Sequence, residues 1–220
     1  MHIEPGVVDG AKMVLSYGTA AASAGLALKL VADDLKTKSP VTFLARAALA
    51  TIGTFICFEV LPHFVAGVSE VHLILGTTLL LLLGAGAAAV GLAAGLLIQG
   101  MFFAPTDLAM YTVNVTTLMF PLFLIATMTA RSHKPYVEMG YGEVLKLSAA
   151  YQGGIVAWVA FWVFYGQGFG AMADVATFAA SYAVVLLVEP VADLLALAAA
   201  KSLRGTKASG LMNARLYDVA

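Results

Sequence analysis

Charge is what this sequence has least of. Asp, Glu, Lys and Arg make up 11% of its 220 residues, against about 25% in an average soluble chain. Stretches 71–106, 108–130 and 147–173 hold none of the four. Cysteine is nearly absent: the lone Cys57 can form neither an intrachain disulfide nor a thiolate cluster. The motifs G-x-x-x-x-G-K-[ST], H-E-x-x-H and G-x-S-x-G are missing as well. With them go an ATP site in this chain, a zinc-protease helix and a serine-hydrolase elbow. These absences exclude a disordered chain, a disulfide scaffold and a soluble nucleic-acid binder. No basic region precedes the first apolar stretch in MHIEPGVVDG, so Met1 is expected as the mature start rather than the head of a cleaved signal peptide.

What is present is apolar: 61% of the chain is hydrophobic and the mean hydropathy is +0.91. A helix crossing roughly 30 Å of hydrocarbon at 1.5 Å per residue needs about 20 such residues. Seven apolar segments fall near 11–32, 41–61, 71–84, 86–104, 109–130, 143–165 and 174–200. The third has 14 residues, and only Gly84-Ala85-Gly86 parts it from the fourth. A tight turn there and a single tilted helix through 71–98 both fit the pattern. The expected fold is all-α: a polytopic membrane bundle of about seven transmembrane helices, with 1–200 as one integral membrane domain and 201–220 as a basic tail.

Basic residues orient such a bundle, because Lys and Arg are retained on the cytoplasmic side. Lys29, Lys36, Lys38 and Arg46 flank the first connection, Arg131, Lys134 and Lys146 flank the loop after the fifth segment, and Lys201, Arg204, Lys207 and Arg215 lie in or beside the tail. Seven spans place these eleven of the twelve basic residues on one side, with Lys12 the exception. The reading puts the N-terminus outside and the C-terminus in the cytoplasm. Arg46 lies near enough to the cytoplasmic edge to snorkel, and Asp33 and Asp34 with Lys36 and Lys38 read as a solvated mixed-charge connector.

Small residues are dense in the first segment, where Gly18/Ala22 and Ala20/Ala24 are small-xxx-small pairs. Such spacing lets helix backbones approach closely in lipid. Packing within this chain is the simpler reading, and a docking face for another membrane subunit is the sharper one. Met101, Met110, Met119 and Met128 recur every nine residues, which alternates helix faces and fits core packing better than a thioether ladder.

Histidine carries the chemistry. His133 sits in the basic loop SHKPY and reads as surface, and His63 follows Pro62 in an outer loop. His2 and His72 belong to that same outer side. An N-terminal Met-His can chelate one cation through its amine, the deprotonated amide nitrogen of His2 and the imidazole Nδ1, in rings of five and six members. His72 would add a fourth nitrogen. Four nitrogens in a plane suit Ni(II) or Cu(II) better than a tetrahedral Zn(II). On this chemistry alone, a chance His after a start Met is the simpler reading.

The stretches MHIEPG at 1–6, GVSEVHLILGTT at 67–78 and LAMYTVNVTTLM at 108–119 resemble the CbiM/NikM family, the substrate-binding membrane components of cobalt and nickel energy-coupling-factor transporters. The resemblance covers most of the chain and is densest in 1–6 and 43–120. It implies a metal site made by Met1, His2 and His72, with Gly6 as a turn residue. Asn114, Thr77 and Glu4 are the polar neighbours expected around the ligands. The transported ion is then Co(II) or Ni(II), with copper behind them. The partners implied are a transmembrane coupling subunit, two ATPase subunits, a small accessory membrane subunit and the lipid of a bacterial inner membrane, with no nucleic acid. Departures fall near the expected cavity: Glu70-Val71 replaces a small residue before His72, Gly76-Thr77-Thr78 replaces a Gly-Gly pair, and Ala104-Pro105-Thr106-Asp107 stands where the family is glycine-rich. They leave cobalt against nickel undecided.

Acidic residues inside apolar segments are costly and need a reason. Glu189 and Asp193 are four apart, hence on one helix face, and Glu189 resembles an acid the family carries on its last helix. Pairing between helices is the first reading. Coupling to a partner subunit, together with Gly18 and Ala22, is the alternative. Two other functions fit less well. A membrane-embedded metal-dependent enzyme or sensor would draw on His72, Asp107 and Glu59, but no pairing selects a nucleophile or base. A proton-coupled carrier would use Glu189 and Asp193, but no inverted repeat is apparent.

Overall fold

The computed structural model describes residues 2–132 and 134–218. Along the chain run α1 (Met13–Thr37), α2 (Pro40–Phe55), a two-stranded hairpin β1 (Phe64–Ala66) and β2 (Ser69–Val71), α3 (Gly76–Leu83), α4 (Ala85–Phe102), α5 (Tyr111–Ala130), α6 (Tyr141–Gln167), α7 (Met172–Ser202) and the short α8 (Ala214–Tyr217). Among the described residues six helical stretches are long and apolar enough to cross a membrane: Gly10–Thr37, Pro40–Val60, Ala85–Phe102, Pro105–Ala130, Tyr141–Gln167 and Phe169–Ser202. The fold is an all-α polytopic bundle.

The third apolar segment departs from a full span. Its residues 71–104 form two helices, and the first, α3, has only 8 residues, about 12 Å of rise. Residues 72–75 ahead of it are not helical. Non-helical backbone at membrane depth survives only where protein satisfies its polar groups, and α3 is enclosed by α2, α4, α5, α6 and α7.

Small residues set the closest approach in the bundle. A Cβ on Gly91 of α4 would lie 2.2 Å from Ala50 Cβ of α2, so only glycine allows these helices to pack at this distance. The first helix behaves otherwise. Gly18 and Ala22 are exposed, and a Cβ on Gly18 would meet nothing within 4 Å. The α1 residues that are buried are Ser16 and Ser23. Among the described residues the Gly18/Ala22 pair therefore lies on an exposed face rather than in a helix contact, contrary to the simpler expectation, while Ser16 and Ser23 turn inward and Ala20 and Ala27 pack against the core.

Two ends of the bundle are chemically distinct. At one end lie residues 2–9, the hairpin, the 103–110 connection and the C-terminus of α6. Lys12, the basic residue that broke the charge pattern, belongs here and donates to the Gly166 carbonyl at 2.5 Å, a cation at a helix C-terminus. At the other end, Arg46 is wholly buried rather than snorkelling. Its guanidinium donates to Asp34 Oδ1 at 2.7 Å, Asp34 Oδ2 at 3.1 Å and the Leu83 carbonyl at 2.7 Å. Asp34 thus leaves the solvated connector, while Asp33 keeps exposed partners in Lys29 and Lys36. The basic tail folds back on this end. The Asn213 N–H donates to the Leu82 carbonyl at 2.8 Å, Arg215 to Ser132 O at 2.6 Å, and the Tyr217 hydroxyl to Ala200 O at 2.8 Å.

Candidate metal site

The N-terminal residues are held as a rung beside the hairpin. Ile3 pairs antiparallel with Ser69. The Glu70 N–H donates to His2 O at 2.9 Å, the Glu4 N–H to Val68 O at 3.1 Å, and the Ser69 hydroxyl to His2 O at 2.9 Å. On the far side the Ile3 N–H donates to Asn114 Oδ1 of α5 at 2.8 Å. Gly6 turns the chain with φ +89°, and Val7 then lies against α6 so tightly that a Cβ on Gly166 would stand 1.9 Å from the Val7 carbonyl oxygen. Backbone bonds on one side, Asn114 on the other and burial of Ile3, Val7 and Val8 fix where His2 must point.

His2 and His72 meet there. Both are 2% exposed, and their ring centroids are 5.1 Å apart. Phe58 packs on the two rings at 5.6 and 4.4 Å. It is placed by a widened π-turn, Ile56–Val60, that ends α2, a device frequent at functional sites. Donor atoms of His2, Glu70 and His72 all lie within 4.8 Å of one another. His2 Nδ1 is 2.8 Å from Glu70 Oε2 and 4.0 Å from Asp107 Oδ2. His72 Nδ1 lies 3.3 Å from the Leu73 carbonyl, so a proton on Nδ1 leaves Nε2 as the ligating nitrogen.

Burial is the largest influence on His2 and lowers its pKa, against the opposing pull of Glu70. The hydrogen bond from His2 in turn lowers the pKa of Glu70. At neutral pH the pair is therefore a neutral imidazole donating to a carboxylate. Glu4 is shifted the other way, upward, by its own partial burial and by the charges of Glu70 and Asp107.

Behind His72 stands Glu189. Its buried carboxyl accepts the N–H groups of Ile74 and of Leu75, the latter at 2.9 Å, and the side-chain amide of Gln152, which accepts from the Tyr182 hydroxyl in turn. Leu75 has a left-handed backbone, φ 58° and ψ 30°, a conformation that costs a branched residue free energy and persists only when its surroundings hold it. Glu189 supplies that hold. One turn on, Asp193 accepts from Thr78 at 2.5 Å. Glu189 and Asp193 thus join α7 to α3 inside the bundle, and both are 0% exposed. This is the pairing between helices of the first reading.

Of the residues expected here, His2, His72 and Asn114 come together, and Glu4 adjoins them through Glu70 and Asp107. Thr77 is buried in α3 without a hydrogen bond from its hydroxyl among the described residues. His63 is exposed. Met1 and His133 lie outside the described residues. Glu70 is the member that sequence reasoning passed over. A period-2 reading of SEVH would have found it, since residues 70 and 72 of an extended strand face the same side.

Fold and site together describe a multi-pass membrane protein with a buried cluster of two imidazoles and a carboxylate at one end. The family profile for the cobalt uptake substrate-specific transmembrane region, CbiM, matches residues 2–206. The chain belongs to this family and is a membrane component of metal uptake. Among solved structures, a crystal structure described as a truncated transition metal transporter superposes with a TM-score of 0.62 at 16% identity, covering 92% of this chain and 98% of that one. At that identity the likeness shows the fold. No curated protein matches the chain.

Proposed function

We propose that this chain captures cobalt or nickel at the outer face of a bacterial inner membrane, as the substrate-binding component of an energy-coupling-factor importer. The ion is held by the amine of Met1, the amide nitrogen and imidazole of His2, and the imidazole of His72. Asn114 and Glu4 steady the N-terminal segment that carries the first three donors. One observation carries the reading: two histidines 70 positions apart in sequence lie buried ring against ring at 5.1 Å. Together with Glu70 they bring donor atoms within 4.8 Å of one another, a nitrogen and oxygen set that suits a divalent transition metal.

The remaining parts rest on the family resemblance, on the missing nucleotide-binding motif and on the placement of charge. With no nucleotide-binding motif in this chain, the energy comes from two separate ATPase subunits, through a transmembrane coupling subunit and with a small accessory membrane subunit alongside. The exposed Gly18/Ala22 face of α1 suits the approach of a coupling helix. Collection of the basic residues at the end opposite His2 supports an N-terminus outside and a cytoplasmic 201–220 tail. The site's position at one end of a single membrane domain suits release inward by tilting or opening of the whole bundle.

The test is metal content and affinity of the purified full chain. A chain starting at Met1 is expected to retain Ni(II) or Co(II) near one equivalent. Residues added ahead of Met1 are expected to abolish retention, and so is His72→Ala. Equal metal in all three would overturn the site.

A further inference from the structure

We infer that Glu70 supplies an oxygen ligand to the transported ion and biases the site toward Co(II) over Ni(II), an inference that rests on the metal site proposed above. The distances carry it. Two donors at right angles, each about 2.05 Å from one ion, are about 2.9 Å apart. His2 Nδ1 and Glu70 Oε2 stand at 2.8 Å, already the separation of neighbouring ligands in a square or octahedral shell. An ion can take the place of the proton between them with little movement of either side chain. A tetrahedral shell would need about 3.3 Å, wider than the pair now stands.

The position of Glu70 in the fold makes the carboxylate hard to divert. Its N–H is committed to His2 O at 2.9 Å, so strand and N-terminal rung move as one body. His72, two residues on, faces the same side of the extended chain. The Glu70 side chain is 21% exposed while His2 is 2% exposed, so the acid sits at the rim and the imidazole beneath it. Asp107 at 4.0 Å from His2 Nδ1 is beyond the separation of neighbouring ligands.

Charge argues the same way. Amine and imidazoles bring no negative charge and the deprotonated amide brings one, so a doubly positive ion beside Phe58 keeps one positive charge, and a buried uncompensated charge is expensive. The carboxylate offsets it where the ion sits. An added oxygen above four nitrogens converts a planar all-nitrogen field, which suits Ni(II) and Cu(II), into a mixed nitrogen–oxygen shell of higher coordination number, which Co(II) accepts readily. His2 Nε2 is buried with no hydrogen-bond partner among the described residues, so none of them places a competing oxygen on that face of the ring.

The experiment uses the full chain from Met1 in detergent, loaded separately with Ni(II) and Co(II). X-ray absorption at the nickel edge of the wild-type protein should lack the sharp pre-edge shoulder of planar four-coordinate Ni(II), and proton NMR should show paramagnetically shifted lines. Glu70→Gln and Glu70→Ala should turn the nickel site planar and diamagnetic with one equivalent still bound. The same variants should weaken Co(II) by about 10- to 100-fold, the range for losing a supporting group at a metal site, and Ni(II) by less than about 3-fold. A planar nickel spectrum in the wild type overturns the role of Glu70, whether or not the variants fold. So does an unchanged Co(II)-to-Ni(II) affinity ratio in the variants, and either result leaves the nitrogen site standing. Failure of the wild type to hold either ion removes the nitrogen site, and this inference with it.

Discussion

Helix α3 is gripped at both ends by an ionisable side chain, and the two grips differ in kind. At its N-terminus Glu189 accepts the N–H groups of Ile74 and Leu75. At its C-terminus Arg46 donates to the carbonyl of Leu83. Each has the sign that the helix dipole favours at that end. Arg46, however, is neutralised by Asp34 in a two-point contact, whereas Glu189 meets only backbone amides and the amide of Gln152. The lower grip is a closed ion pair whose loss leaves a charge stranded. The upper one is a set of dipoles around an acid, and it shapes the loop carrying His72. One end is built for stability, the other for geometry.

Breaking the lower grip should give the largest effect, and it should be on stability. Arg46→Ala leaves Asp34 without its counter-charge and Leu83 without its donor, which is expected to cost about 3 kcal/mol. Thermal or denaturant unfolding in detergent measures it. Metal affinity of the protein that remains folded should stay within about twofold, because Arg46 is at the opposite end from His2 and His72. A collapse of affinity at full occupancy of the fold would show that the two ends are not separable.

Breaking the upper grip should reverse the balance. Glu189→Gln keeps an oxygen for the Ile74 and Leu75 N–H groups, which both reach Oε1, but it sets an amide against that of Gln152 and removes the acid that strengthens the bonds holding Leu75 in its left-handed conformation. Metal affinity should fall by about 10- to 100-fold, with a smaller loss of stability than Arg46→Ala produces. Isothermal titration alongside melting of the same sample separates the two readouts. If Glu189→Gln melts far below wild type while the folded fraction binds metal normally, the acid is a structural brace and nothing more.

This contrast also explains what the sequence disclosed. Spans, the break at Gly84 and the two chemically different ends all follow from apolar length and the placement of basic residues, which act one residue at a time. His2 and His72 were legible because the N-terminal Met-His motif and the GVSEVH stretch resemble a family pattern. The Arg46–Asp34 pair was not, because several acids and bases crowd that connection and burial chooses among them only after folding. Glu189 was marked as a buried acid, but its partners are main-chain N–H groups, which any residue presents and no sequence pattern records. Glu70 was read as a departure from the family rather than as a donor, because a loop reading of 62–70 set it apart from His72 and hid the two-residue period of a strand.

Acidification sharpens the comparison, since ionisable groups govern the N-terminal rung. His2 has a folded pKa below its ordinary 6.5, chiefly from burial. The unfolded segment therefore binds a proton that the docked one refuses, and docking weakens as pH falls below about 6.5. Glu70 has a folded pKa below its ordinary 4.5, chiefly from the His2 hydrogen bond. Its contribution is complete above 4.5 and is lost as pH falls through that lower value. Both shifts have the same sign, so stability of the rung rises with pH. Hydrogen exchange without metal should show protection of residues 2–8 declining between pH 7 and about pH 5.5, while residues 80–90 near Arg46 hold theirs. Metal affinity should decline over the same window, because each bound ion displaces protons.

The smallest effect expected is at Asn114, and it asks whether the rung is fixed from one side or two. Asn114→Ala removes the acceptor for the Ile3 N–H at 2.8 Å and leaves that donor buried, a cost of about 1–3 kcal/mol if nothing relaxes. The hairpin side remains: Glu70 N–H and the Ser69 hydroxyl still bind His2 O. Relaxation around that hinge should bring the loss down to about 1 kcal/mol, or roughly fivefold in metal affinity, with the dissociation rate rising and the melting temperature almost unmoved. Asn114→Asp keeps the acceptor and adds negative charge within reach of the site, so it should restore most of the affinity. An unchanged affinity in Asn114→Ala would mean that the hairpin alone presents His2, and that α5 is only the wall behind it.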